Sequence, residues 1–363
     1  MMKRKKLLLF AAPILAALLS PPFTVSKASQ MQDVTLTEAS SLNDQGVAAA
    51  ESGRYQEAID LLKRAIDLWP ERSVAHYNLA RIYETQGRFA EATHAFKQAV
   101  RLNPSFTEAH YHLGISYNKN KKYAEAIECF KRALQLKPDS ADSLSELGLA
   151  YSELDRNDEA AESCKQAIRL NPALAEAYNT LGVAYFKLGQ RAEAIESFEH
   201  ALRLEPNRAE FYNNVGYVYG DAGRVNEAIA LYQQSIRRKP DYPIALNNLG
   251  LAFSSLGQYS QAIEYLRRAT WIKPGMVEAH YNLGYVYSQT GRERQAIESY
   301  KRAILLKPYL AEAHNNIALI YLKRGERGFA LEHYSLLKSI NYDMAKKLFA
   351  AIYKDKLINV KGK

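Results

Sequence analysis

Eight of the twelve prolines, Pro70, Pro104, Pro138, Pro172, Pro206, Pro240, Pro274 and Pro308, follow one another at a step of 34 residues. Repetition at one fixed step constrains a fold more than local propensity does, because every unit must build the same short motif and bury its apolar side against its neighbours. Counting each unit from 31 residues before its proline gives nine units over residues 39–344 without an insertion, the ninth carrying Tyr342 in place of proline. A length of 363 residues alone suggests two or three domains; the period replaces that expectation with one continuous run of repeats.

Inside the unit, residue types recur in register. Position 8 is Gly46, Gly114, Gly148, Gly182, Gly216, Gly250 and Gly284, with Ala80 and Ala318 in the other two units, and position 20 is alanine nine times, from Ala58 to Ala330. Small side chains at both places let two helices approach closely. Position 15 is glycine in seven units, from Gly53 to Gly325, and interrupts the helical pattern between them. Apolar residues at three- and four-residue spacing complete each helix: in the fifth unit Tyr178, Leu181, Gly182 and Tyr185 share one face, and Ala194, Phe198 and Ala201 share another. Proline at position 32 then ends the second helix, since it lacks the N–H and pushes the preceding residue out of the helical region.

With Leu181-Gly182, Tyr185, Ala194, Phe198, Ala201 and Pro206 at these offsets, the chain resembles the tetratricopeptide repeat family over residues 39–344. The resemblance implies an all-α solenoid: a right-handed superhelix of nine helix-turn-helix units, followed by a C-terminal capping helix. Gln45 and Ala49 in the first unit, and Leu337 and Tyr342 in the last, depart from the family pattern, as end units of a stack do. Residues 345–363 read as a capping helix with Leu348, Phe349, Ile352 and Tyr353 on one side, running into a basic tail.

Residues 1–28 read as an export signal. Lys3, Arg4, Lys5 and Lys6 precede thirteen apolar or proline residues from Leu7 to Leu19, and small residues follow up to Ala28. Thirteen residues rise only about 20 Å as a helix and Pro13 interrupts them, short of a bilayer of about 30 Å. Localisation is therefore expected to be periplasmic or extracellular, with an uncleaved N-terminal membrane anchor as the alternative, and residues 29–38 are expected to be a linker. The net charge of +9 is terminal: residues 1–30 and 345–363 each carry +5, which leaves −1 between them. A nearly neutral body lacks the basic stripe that phosphate binding needs, so no nucleic-acid partner is expected, and a membrane partner only through the N-terminal segment. Pairs such as Lys131-Arg132, Arg267-Arg268 and Lys301-Arg302 read as a solvated outer face.

The family resemblance implies that first helices line a concave groove for peptide segments, through positions 2, 5, 6 and 9. Position 6 reads Asn78, His112, Glu146, Thr180, Asn214, Asn248, Asn282 and Asn316, and position 5 adds Asn179, Asn213, Asn247 and Asn315. An amide offers both a donor and an acceptor to a peptide bond, so a row of them suits an extended backbone. The row is similar to the asparagine ladder in the tetratricopeptide superhelix of O-linked N-acetylglucosamine transferase. Position 2 carries Glu108, Asp142, Glu176, Glu210, Glu278 and Glu312, which make a groove acidic, although a carboxylate in the first turn is also favoured by the helix dipole alone. Position 9 is mainly apolar (Ile115, Leu149, Val183, Leu251, Leu319) and position 5 has no lysine, which disfavours the family's clamp for C-terminal carboxylates.

His76, His110, His280 and His314 at position 4 read as packing residues rather than metal ligands, and Cys129 and Cys164 as apolar packing rather than a bridge. No catalytic or metal-binding residue and no cofactor is assigned. The function expected is an exported protein-interaction scaffold, not an enzyme. The alternatives are an accessory or targeting subunit of an enzyme, such as a glycosyltransferase with its catalytic domain on another chain, and a membrane-held envelope assembly factor.

Overall fold

The computed structural model describes residues 27–360, with side chains from 33 to 353. The export segment up to residue 26 and the basic tail from residue 354 onwards, as far as its side chains are concerned, lie outside the described residues. Every element among the described residues is a helix, and these residues fall into two compact units divided between Gln190 and Arg191.

The first unit holds α1 (Lys27–Glu51), α2 (Tyr55–Leu68), α3 (Ser73–Thr85), α4 (Phe89–Leu102), α5 (Thr107–Lys119), α6 (Tyr123–Leu136), α7 (Ala141–Glu153), α8 (Asn157–Leu170) and α9 (Ala175–Lys187). Pairs α1/α2, α3/α4, α5/α6 and α7/α8 are hairpins, and each second helix also meets the first helix of the next hairpin. The second unit holds α10 (Arg191–Leu204), α11 (Ala209–Asp221), α12 (Val225–Arg238), α13 (Pro243–Ser255), α14 (Tyr259–Ile272), α15 (Val277–Gln289), α16 (Glu293–Leu306), α17 (Ala311–Lys323), α18 (Arg327–Ile340) and α19 (Tyr342–Val360). Its hairpins are α11/α12, α13/α14, α15/α16 and α17/α18, and α10 packs on α11. Both units are thus helical solenoids.

Small residues sit where the helices of a hairpin cross. All nine alanines at position 20 are fully buried. A Cβ at Gly114 would stand 2.6 Å from Phe130 Cε1, one at Gly284 2.7 Å from Tyr300 Cδ1, and one at Gly148 2.5 Å from Cys164 Sγ. The glycine of the first helix therefore receives the bulky side chain at position 24 of the second. This contact explains Cys164: it is a free, fully buried thiol filling the place a ring takes elsewhere, and burial pushes its pKa up to about 12.

Position 15 closes each first helix in the left-handed region. Glycines there have φ between 71° and 78°, and Lys121 and Asp155 adopt the same sign at 58° and 57°. The turn is a Schellman arrangement: Arg88 N donates to Tyr83 O at 2.8 Å and Lys122 N to Tyr117 O at 2.9 Å. At the other end the residue before proline is extended, as at Trp69 (φ −139°) and Lys273 (φ −127°). Position-4 histidines secure that end: Nε2 of His76, His110, His280 and His314 lies 2.9–3.0 Å from the carbonyl of Pro70, Pro104, Pro274 and Pro308. A carbonyl only accepts, so Nε2 carries the proton in each.

Two boundaries differ from the sequence expectation. Residues 29–38, expected as a linker, are helical, because α1 runs unbroken from Lys27. No glycine or proline occurs between Lys27 and Asn43 to stop it, although the chain there has little to bury before Ala39. The terminal helix starts at Tyr342 rather than 345, and it lays Ala345, Leu348 and Ile352 on Ala318, Ala330 and Leu337 of the last hairpin. Phe349 is exposed but lies 4.4 Å from the Tyr353 ring.

Under that cap, His314 Nδ1 and His333 Nδ1 are 3.0 Å apart. With His314 Nε2–H donating to Pro308, the neutral pair has His333 Nδ1–H donating to His314 Nδ1. Burial, the neighbouring His314 and Lys301 hold the His333 pKa down to about 4. The unfolded chain binds that proton near its ordinary pKa of about 6.5, so stability is full above that value and is lost as pH falls from there towards 4. His333→Gln should flatten this acid limb in urea titrations at successive pH values; an unchanged limb would contradict the assignment. Gly114→Ala should cost about 1–3 kcal/mol by urea unfolding, while Gly275→Ala, where a Cβ meets nothing within 4 Å, should cost almost nothing.

Candidate functional site

In residues 191–363 the first helices α11, α13, α15 and α17 carry the amides. Neighbouring positions on a helix point about 100° apart, so positions 5 and 6 serve different partners. Position 5 turns towards the following repeat, and position 6 reaches back to it. Asn282 Nδ2 donates to Asn247 Oδ1 at 2.9 Å, and Asn248 Nδ2 to Asn213 Oδ1 at 3.0 Å. Within each helix, Asn247 Nδ2 donates to Asn248 Oδ1 at 3.3 Å and Asn213 Nδ2 to Asn214 Oδ1 at 3.4 Å. The result is a relay of five amides tying three first helices together.

This corrects the expected row of amides presented to a ligand. Asn213 and Asn247 are buried, and so is Asn78, which donates to Asn43 Oδ1 at 3.0 Å by the same reach-back rule in the first unit. Their side chains join repeats instead of facing solvent. Asn214, Asn248, Asn282 and Asn316 are half-buried, as are Asn179 and Asn315. The relay stops at Tyr281, which takes position 5 in its repeat; Asn316 Nδ2 donates to the hydroxyls of Tyr281 (3.3 Å) and Tyr300 (3.2 Å) instead. Asn248 uses one amide hydrogen and its oxygen inside the relay, and Asn282 uses one hydrogen, so part of each amide remains for another molecule.

Of the expected carboxylates, Glu176, Glu278 and Glu312 are exposed. Glu210 is half-buried and held at 2.9 Å by Lys239 and at 3.7 Å by Arg208, so its charge is matched within the chain.

Position 9 is one of the positions expected to line the groove. One turn along from the amides it carries Tyr217 (50% exposed), Leu251 (37%), Tyr285 (42%) and Leu319 (44%), four apolar side chains open to solvent. A cleft of about 230 Å³ opens between α11, α12 and α13, lined among others by Tyr217, Asp221, Asn248 and Leu251. Half-used amides beside exposed apolar side chains can take a backbone and its apolar side chains together.

The equivalent face of the first unit is built differently. Glu84 forms an ion pair with Arg81, its carboxylate 3.0 Å from Nε, and faces His112 Nδ1 at 3.1 Å, and Arg81 donates to the Tyr77 hydroxyl at 3.0 Å. Burial pushes the His112 pKa down in spite of the carboxylate. Asn43, Arg81 and Glu84 carry no sequence signal beyond their place at positions 5, 9 and 12. No group of three or more His, Cys, Asp or Glu able to hold a metal occurs among the described residues. No described helix is long and apolar enough to cross a membrane.

Stacked helical hairpins, joined by buried small residues and leaving one face to vary, define a helical-repeat scaffold. Tetratricopeptide repeat models match residues 49–113 and 277–310, and the model of the cilia and flagella-associated protein 70 C-terminal domain matches residues 106–286. The chain belongs to the tetratricopeptide repeat family, whose members bind protein partners and generally act as non-catalytic scaffolds. No curated protein matches. Among solved structures, the human IFIT1 dimer with m7Gppp-AAAA aligns with a TM-score of 0.61 at 19% identity, over 93% of this chain and 88% of that one. PilW, a widely conserved type IV pilus biogenesis factor, aligns at 0.53 and 24% identity, over 58% and 98%. PilF of Pseudomonas aeruginosa aligns at 0.52 and 19%, over 58% and 96%. At these identities the likeness is one of fold.

Removing a buried relay amide should act on stability. Asn247→Ala leaves Asn282 and Asn248 each short of a partner and should cost about 1–3 kcal/mol by urea unfolding, whereas the exposed Glu278→Ala should stay within about 0.5 kcal/mol. Equal effects would contradict the relay.

Proposed function

We propose that the chain is an exported scaffold that holds a partner's peptide segment on the first-helix face of residues 191–363. The observation that carries this reading is the pairing of half-used amides at Asn248 and Asn282 with the exposed side chains of Tyr217, Leu251, Tyr285 and Leu319. Amides fix a backbone without regard to sequence; the apolar row selects a segment that carries apolar side chains at matching intervals. The relay lowers the ordering cost, because the amides are already held by one another. Export is supported by the N-terminal order of basic, apolar and small residues.

A photo-reactive residue at position 248, irradiated in intact cells, should capture one protein reproducibly, and cell fractionation should find the complex outside the cytoplasm. Asn248→Ala with Asn282→Ala should weaken capture about tenfold or more without lowering helix content. Unchanged capture by that double variant would place the contact on another face, and a complex found only in the cytoplasm would overturn export.

A further inference from the structure

The repeats supply an internal reference for what each position normally carries. Position 29, in the last turn of the second helix, is Asp67, Arg101, Gln135, Arg169, Arg203, Arg237 and Ser339 in seven repeats, and Trp271 and Leu305 in the remaining two, which are adjacent. Trp271 is 80% exposed and Leu305 68%. Position 33, mostly polar or acidic elsewhere, is Gly275 and Tyr309 in the same two repeats, and Tyr309 is 76% exposed. Ile244, also exposed, stands at position 2 of the first of these repeats, where six of the other eight carry Glu or Asp. A tryptophan, a leucine and a tyrosine lie bare at the ends of α14 and α16, where the repeat pattern expects charge.

The charges on the last turns of α14 and α16 share one sign. Residues 265–273 include Arg267, Arg268 and Lys273, residues 299–307 include Lys301, Arg302 and Lys307, and neither stretch has a carboxylate. Glu264 and Glu298 lie just before, on the preceding turn. Lys239 Nζ lies 2.9 Å from Glu210, at position 2 of its own repeat; beside Lys273 that position is Ile244, which offers no carboxylate. An apolar aromatic edge rimmed by cations complements a surface whose interior is apolar and whose rim is anionic. That is the profile of an anionic bilayer at headgroup depth, where tryptophan and tyrosine rings settle and lysine and arginine stems lie along apolar matter with their heads at phosphates.

We propose that the ends of α14 and α16 dock on an anionic lipid surface, with Trp271, Leu305 and Tyr309 entering the headgroup layer and the six cations engaging lipid phosphates. From sequence, Arg267-Arg268 and Lys301-Arg302 read as a solvated outer face, and a membrane contact is expected only through the N-terminal segment. The exposure of Trp271, Leu305 and Tyr309 beside those pairs is what moves the assignment. This surface is separate from the first-helix face and leaves that face open to a partner.

The chain has two tryptophans, so Trp69→Phe in the full chain makes Trp271 the sole reporter. Added vesicles of phosphatidylcholine and phosphatidylglycerol in equal parts should shift its emission to the blue, vesicles of phosphatidylcholine alone should not, and salt should reverse the shift. Leu305→Ser with Tyr309→Ser, both exposed and outside the core, should weaken partition about tenfold or more with helix content unchanged. Vesicle binding without a Trp271 shift would assign the contact to the N-terminal segment and overturn the proposal. An equal shift on neutral vesicles would overturn the role of the cations, and a concentration-dependent shift without vesicles would assign the edge to a second copy of the chain.

Discussion

One contact recurs through both units and everything else is arranged around it: the bulky side chain at position 24 of a second helix laid against a glycine or alanine at position 8 of the first. Phe130 against Gly114, Tyr300 against Gly284 and Cys164 against Gly148 are three versions of it. Close approach puts the two backbones near enough for the fully buried alanines at position 20 to fill the remaining space. Because interiors are close-packed, a side chain at position 8 and its counterpart cannot vary independently. The variation a partner would read is therefore confined to positions the hairpin does not use.

Residues 191–363 show how those remaining positions divide. Positions 5 and 6 of the first helices are one helical step apart, yet one amide of each neighbouring pair is sealed between repeats and the other stays half open. The sealed amides, Asn213 and Asn247, accept from the next repeat and donate to their own neighbour. They specify how adjacent repeats stack, and in doing so hold Asn248 and Asn282 still. In the first unit the corresponding work falls to Arg81, Glu84 and His112, which are paired with one another. Groups paired within the chain leave less for a ligand than a face of half-used amides and bare apolar side chains.

The hairpins and their small-residue contacts were legible in the sequence because the same physical demand recurs at every unit. Gly53 and its counterparts mark a left-handed turn, and proline marks the end of a second helix. Lys121 and Asp155 show the demand more plainly, since they take the left-handed conformation without being glycine. The direction in which Asn247 points was not legible, because position 5 lies at the edge of the buried stripe and only the packing of the next repeat decides its side. Nor was the partner of Asn78, since Asn43 lies in the atypical first unit. Residues 29–38 mislead for a different reason: none of the side chains at 33–38 is buried, but no residue there stops a helix.

Recognition on first helices, supported by second helices that supply packing, is the central claim. Hydrogen–deuterium exchange of the full chain, with and without its captured partner, tests it most directly. The account predicts slowed exchange in α11, α13, α15 and α17 when the partner is bound, with little change in α12, α16 and α18. Slowing confined to those second helices, or to residues 1–190, would contradict it.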